Sequence, residues 1–316
     1  MSLPRPAATV TIDGQDLSLA ESATATLAVV STTTGSHDLV TLTLGPGSPV
    51  LDIAPAAAVE VSLGNTDSVE PVFTGTVARV AHQPWGTEVH AFAATSALDG
   101  VRIGRAYLSR TVGDIVRDLA GEAGVTPGDI DTGPTLPVFY VDESRPAWRH
   151  VRNLARLTVT ELTCAPDGGL NVRPPRSGTA DHTLRAGAEL LAWAVGGQKD
   201  LPAAPAIGPF SGASEQGAEA WSLVHHDPGG SGSHRVHPLL RDRDVAQLVD
   251  DATTKARSRV SRDGWAVVVG DASIRAGDLV ELDQVERAEA TYRVISAMHE
   301  IDLGGFRTTL RLEAAS

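Results

Sequence analysis

Two stretches at opposite ends of this chain carry the same strand-like alternation. Ala58-Val-Glu-Val-Ser-Leu63 matches Asp278-Leu-Val-Glu-Leu-Asp283 in its apolar pattern. Each is followed by a loop and a longer strand ending in histidine, Val77-Ala-Arg-Val-Ala-His82 and Val294-Ile-Ser-Ala-Met-His299. A glycine-containing turn and one more strand come next in both copies, Glu88-Val-His-Ala-Phe92 and Phe306-Arg-Thr-Thr-Leu310. A period of two sends successive side chains to opposite faces, which is the mark of a half-buried strand. Any two hairpins share this much, and a β-barrel duplicated at the two ends of the chain also produces it.

The stretch before residue 102 extends the β reading. Val10 and Ile12 alternate with polar residues, and so does Leu39-Val-Thr-Leu-Thr-Leu44, with Gly45-Pro46 and Pro84-Trp85-Gly86 as turns. After Gly104 the period changes. Val112, Ile115, Val116, Leu119, Ala120 and Ala123 recur at helical spacing, with Thr111 placed to cap the start and Gly124 to end the helix. A second helix begins near Ser144, with Pro146 in its first turn and Trp148, Val151 and Ala155 on one face. Glu161 to Arg173 then alternates on both sides of Asp167-Gly168, a hairpin signal. The Pro-, Ala- and Gly-rich run from Gln198 to Gly217 reads as connection, a third helix is expected from about Arg243 to Val260, and strands return from Trp265 to Leu312. The expected fold class is mainly β with an α+β insertion: a first β-barrel (1–102), a helix-helix-hairpin unit (103–176), and a linker, helix and second β-barrel (177–316).

Composition removes several partners. With only 4% aromatic residues the interiors must be built from Val, Leu, Ile and Ala. Net charge is −13 and the bases form no run, so neither nucleic acid nor an anionic membrane surface finds a cationic footprint. Cys164 is the single cysteine and has no internal partner. The N-terminus lacks a signal-peptide core, and no run approaches the ~20 apolar residues of a membrane span, so a cytoplasmic protein is expected.

Three segments in order carry a family likeness: Thr111-Val-Gly-Asp-Ile-Val-Arg-Asp-Leu-Ala120, Trp148-Arg-His-Val-Arg-Asn-Leu-Ala155 and Pro166-Asp-Gly-Gly-Leu-Asn-Val-Arg-Pro-Pro175. With Arg275-Ala-Gly-Asp-Leu-Val-Glu-Leu282, Tyr292-Arg-Val-Ile-Ser-Ala-Met-His299 and Gly305-Phe-Arg-Thr-Thr-Leu310, this arrangement resembles the phage late control protein D and VgrG family, from about Val59 onward. The resemblance implies the structural hub of a contractile, phage-tail-like injection particle. It implies a homotrimer whose six barrels fit a sixfold tail tube to a threefold spike, assembled with other baseplate proteins. Unlike full-length VgrG, the sequence ends at Ser316 after the last strand, so a separate spike protein is expected.

Candidate chemistry is sparse. His225, His226, His234 and His237 with Asp227 have the residue types for a zinc site, but a polar loop with incidental histidines is the simpler explanation. Asp129 with Asp131, or Asp142 with Glu143, have the types for glycoside cleavage, but both pairs sit in turn-like stretches. No nucleophile elbow or phosphate loop occurs. His82 and His299 read as strand-end residues, Cys164 as a small buried residue, Trp148 and Trp265 as core anchors, and Trp85 as a turn tip free to face a partner. No catalytic, cofactor or metal site is therefore assigned and no enzymatic activity is expected. A tail-associated cell-wall hydrolase and a carbohydrate-binding β protein are the alternatives.

Overall fold

A computed structural model of the protein describes residues 5–18, 24–46, 48, 53–197, 206–209, 234–237, 239–240, 243–259, 262–286 and 288–315. The first β unit contains β1 (Pro6–Ile12), β2 (Gln15–Ser18), β3 (Thr24–Thr32), β4 (Leu39–Leu44), β5 (Ala58–Asn65), β6 (Ser68–Gln83) and β7 (Gly86–Ala93). A 3-10 turn (Ala94–Asp99) leads to β8 (Arg105–Thr111), α1 (Val112–Glu122), β9 (Pro127–Ile130), β10 (Thr135–Val141), α2 (Ala147–Thr158), β11 (Glu161–Cys164) and β12 (Leu170–Arg173). Then come β13 (His182–Arg185), β14 (Leu190–Gly197), β15 (Ala206–Pro209), β16 (His234–His237), α3 (Arg243–Arg259), β17 (Arg262–Val269), β18 (Leu279–Asp283), β19 (Ala290–Asp302) and β20 (Gly305–Ala314).

The alternation in the sequence becomes the burial pattern. In β4, Val40, Leu42 and Leu44 are buried while Thr41 and Thr43 are not, and in β5 Val59, Val61 and Leu63 face inward. At roughly 1.5–3 kcal/mol for each fully buried aliphatic side chain, these rows fix which face points inward. A one-residue slip would expose a whole row. The sheet is continuous, in the order β14-β17-β20-β19-β3-β4-β7-β6-β5-β1-β2, with β18 and β13 branching from β19. It encloses two separate apolar interiors. One gathers residues of β1 and β3–β7, the other residues of β17–β20 with Leu184 and Leu190.

Strand order shows the duplication directly. In the first unit the spatial order is β3-β4-β7-β6-β5, and in the second it is β14-β17-β20-β19-β18. Numbered along the chain, both read first, second, fifth, fourth, third. The two segments first paired by eye therefore hold equivalent places, with one correction. The register puts Val59 with Val280, not with Leu279, because Val59 pairs Gly75 and Val280 pairs Tyr292.

The middle unit follows its local signals. Thr111 caps α1, its hydroxyl accepting the Asp114 N–H at 3.1 Å, and Gly124 ends the helix at φ +67°. Pro146 caps α2, which begins three residues later than Ser144. Trp148 is buried, as expected. The hairpin β11–β12 turns at Asp167-Gly168, where the Asp167 carboxylate accepts the Gly169 N–H at 3.0 Å. α3 lies in the stretch grouped with the second barrel by sequence, yet Leu240, Ala246 and Val249 share the interior of α1 and α2. Trp265 departs from expectation: it is exposed. On β17 the inward positions are Ala266 and Val268, and Trp265 lies outward opposite Ala194 and Arg311.

Candidate assembly interface

Among the described residues, no three of the histidines, acids and cysteine singled out for chemistry come together as a metal-binding group. His225 and His226 lie outside the described residues, and His234 and His237 fall at the ends of β16, paired in parallel with β15. Two of the acidic candidates, Asp131 and Asp142, serve local turns, and the Asp129 carboxylate lies 3.7 Å from the Arg173 guanidinium. The Asp131 carboxylate accepts the Gly133 N–H at 3.2 Å, and the Asp129 N–H donates to Asn171 Oδ1 at 2.8 Å. Asp142 accepts the Ser144 hydroxyl at 2.7 Å and the Ser144 N–H at 2.9 Å, which holds its carboxyl below the usual range. Cys164 is half-buried, and burial together with the nearby Asp38 charge pushes its thiol up to about 12. That places it far from a reactive thiolate.

What the structure does repeat is a hairpin and its surroundings. His82 Nδ1 lies 3.1 Å from the Thr87 hydroxyl across the β6–β7 ladder, and His299 Nδ1 lies 3.0 Å from Thr308 across β19–β20. Five residues before each histidine the ladder shifts register, between Val77 and Arg79 in one copy and between Val294 and Ser296 in the other. β3 and β14 carry matching bulges, between Thr24 and Thr26 and between Leu190 and Ala192. Ala56 and Gly277, which enter β5 and β18, both have positive φ, at +71° and +96°. Bulges and left-handed residues cost free energy unless the fold requires them, so their recurrence at equivalent sites marks one design used twice. Both hairpins close on two-residue turns with an exposed apolar side chain at the tip, Trp85 in one and Leu303 in the other. The second hairpin is longer by two residues in each arm, so Thr308 rather than Phe306 answers to Thr87.

The two units meet through β3 and β19. Thr32 to Leu27 runs antiparallel to Ser296 to Ile301, and the Thr33 N–H donates to the Ile295 carbonyl at 2.9 Å. β19 is long enough to serve two neighbours along one edge: β18 covers its first half and β3 its second. Sequence inspection misses β3. Its Leu27-Ala-Val-Val30 run is apolar at every position and loses the alternation that betrays a half-buried strand.

Polar groups lock the seam with the middle unit. His37 stacks on Trp148 with ring centroids 4.4 Å apart and reaches Thr95 and Asp99, each at 3.0 Å. Burial lowers its pKa against the pull of Asp99. Asp38 is buried beside it, accepts the Thr32 N–H at 3.0 Å, and is pushed up to about 7 by loss of water. Arg293 of β19 is buried between Glu161 of β11 and Glu313 of β20 and forms ion pairs with both. A cavity of about 300 Å³ lies at this meeting point, lined by Asp38, Cys164, Arg275 and His299 among others.

No protein-family model matches the chain, and no curated sequence does either, so the comparison rests on shape. The 43 kDa tail protein of prophage MuSo2 from Shewanella oneidensis is similar at a TM-score of 0.72 and 12% identity, over 98% of each chain. The tail protein from Neisseria meningitidis MC58 gives 0.72 and 15%, over 98% of this chain and 96% of that one. The E. coli c3393 protein is described as a type VI secretion component similar to T4 tail proteins gp27 and gp5. It gives 0.64 and 10%, over 97% of this chain and 77% of its own. A complex containing Francisella VgrG is similar over the whole of this chain at 0.60 and 8%. At these identities the likeness is one of fold. The chain has the β-rich fold of phage tail proteins and VgrG-containing assemblies, which is the resemblance its own motifs carry.

Proposed function

We propose that the protein is the structural hub of a contractile, phage-tail-like injection particle. Three copies form a ring that fits a sixfold tail tube to a threefold spike, held by other baseplate proteins. One observation carries this reading: two β units with the same strand order, bulges and His–Thr pair occur in one chain. A threefold ring meets a sixfold one closely only if each subunit repeats its contact surface, and duplication supplies the repeat. The units are organised as 1–102, 103–176 and 177–316, with the middle unit and α3 as a brace at their seam. The protein acts by contact rather than by catalysis, a reading supported by the commitment of Asp131 and Asp142 to turns and by the raised thiol of Cys164.

Copy number tests the proposal. Quantitative mass spectrometry of purified particles, calibrated against isotope-labelled peptides of this chain, should give three copies per tail end. Six copies or one would overturn it.

A further inference from the structure

The internal joint between β3 and β19 has a counterpart whose two halves are both present and both unmade. Strand order makes β14 the equivalent of β3, and β6 the equivalent of β19. β14 ends the sheet: β17 pairs one of its edges, and among the described residues the other carries only a single bridge, from Leu190 to Ala186, which leaves Leu191 to Gly197 without a neighbouring strand. β6 is covered by β5 as far as Thr76, but from Arg79 to Gln83 β7 is its only strand neighbour among the described residues. In β19 the equivalent stretch, Ser296 to Ile301, is the one that β3 occupies.

Burial marks the same difference. Leu27, Val29 and His299 in the completed joint are 0%, 2% and 3% exposed. Their counterparts by matched bulges are Trp193, Val195 and His82. Trp193 is 36% exposed, Val195 is only partly buried, and His82 is exposed. Trp193 pairs Ala266, an inward position of β17, so its ring lies at an uncovered end of the second interior. A solitary edge strand is normally blunted by charge, proline or brevity. β14 has eight residues, no charge and no proline, with Leu191 and Trp193 open to solvent.

We infer that β14 of one molecule pairs antiparallel with Arg79–Gln83 of β6 in the next, repeating the internal β3–β19 joint between copies of this chain. The register follows from the made joint, where Val29 faces His299 and Ser31 faces Ala297. Transposed, Val195 faces His82, Gly197 faces Val80, and Ala194 faces Gln83. The hydrogen-bonding phase agrees. In the made joint the Thr33 N–H donates to the Ile295 carbonyl opposite it, and every second residue along the strand shares that phase, so by transposition Val195 and Gly197 are the β14 residues aimed outward. Pro84, which lacks an N–H, ends the stretch. Because the two edges differ, the contact is head-to-tail, and it closes into a ring rather than a filament when its rotation matches that of the internal joint. The joint deepens the ring reading and rests on it for the number of copies.

Cysteines placed across a non-hydrogen-bonded pair test the register, since such residues lie within disulfide reach. The full-length chain with Ala194→Cys and Gln83→Cys, oxidised in assembled particles, should give a covalent closed ring of three on non-reducing gels. Ala194→Cys with Arg79→Cys, four residues out of register, should give none. Hydrogen exchange provides a readout free of substitution: the amides of Val80, His82, Val195 and Gly197 should be open in the monomer and protected in the particle. Three copies per particle without cross-linking or protection would overturn the strand joint and leave the ring reading intact. A copy number other than three, with cross-linking, would overturn the ring reading and leave the joint.

Discussion

Two buried groups at the seam titrate in opposite senses, which predicts an acid response that single substitutions expose. Burial depresses His299 to about 4 from an unfolded value of 6.5, while the Asp271 and Arg275 charges beside it oppose each other. Below pH 6.5 the unfolded chain takes up a proton that the folded one refuses, so this group costs stability as pH falls towards 4. Burial raises Asp38 to about 7 from 3.8. Its folded form holds a proton that the unfolded chain has released, so its contribution grows as pH falls through 7 and is complete below 3.8. Each slope is at most about 1.4 kcal/mol per pH unit and flattens near each pKa, so over pH 6.5 to 4.5 each effect reaches about 2 kcal/mol and the two nearly cancel. Asp38→Asn keeps an acceptor for the Thr32 N–H and removes one arm. His299→Gln keeps a partner for Thr308 and removes the other. Urea unfolding at the two pH values should show Asp38→Asn losing about 2 kcal/mol against wild type on acidification, and His299→Gln gaining as much. Exposed carboxylates such as Asp118 and Asp181, both depressed by their partners, titrate alike in all three proteins and drop out of the difference. Parallel pH profiles for the three proteins would refute the reasoning.

Three further outcomes are expected. Arg293→Ala leaves the buried Glu161 and the half-buried Glu313 without their cation and should cost about 3 kcal/mol in urea unfolding; a loss below about 1 kcal/mol would contradict the ion-paired triad. Cys164, with its thiol near 12, should react with iodoacetamide at pH 8 at least about a hundredfold more slowly folded than in urea. Replacing His225, His226, His234 and His237 together by Ala should leave particle assembly unchanged, whereas stoichiometric zinc lost in that variant would contradict an incidental histidine loop.

The sequence reveals what short-range rules govern. α1 is legible because Thr111, the apolar spacing and Gly124 all agree, and the β11–β12 turn because Asp167-Gly168 sits between alternating runs. The duplication is legible because half-buried strands keep their alternation, so that His82 and His299 could be matched before their shared threonine partners were seen. β3 is not legible, because Ala28 and Val30 on its half-buried outer face are apolar like the buried Leu27 and Val29, so Leu27-Ala-Val-Val30 shows no alternation. Trp265 misleads because an aromatic residue in a strand signals β structure but not which face it takes. The free edges of β14 and β6 leave no trace in composition. They are defined by what fails to pair in space, and they emerge only when one unit is compared with the other.

The central claim is that one chain presents the same surface twice around an axis. A reconstruction of the particle by electron cryomicroscopy, calculated without imposed symmetry, tests this most directly. The account predicts a ring of three chains whose six β units lie at a common radius and height, about 60° apart, with the β6–β7 and β19–β20 hairpins alternating towards six tube subunits. A ring in which the two units of each chain lie at different radii, so that only three identical seats face the tube, would contradict it.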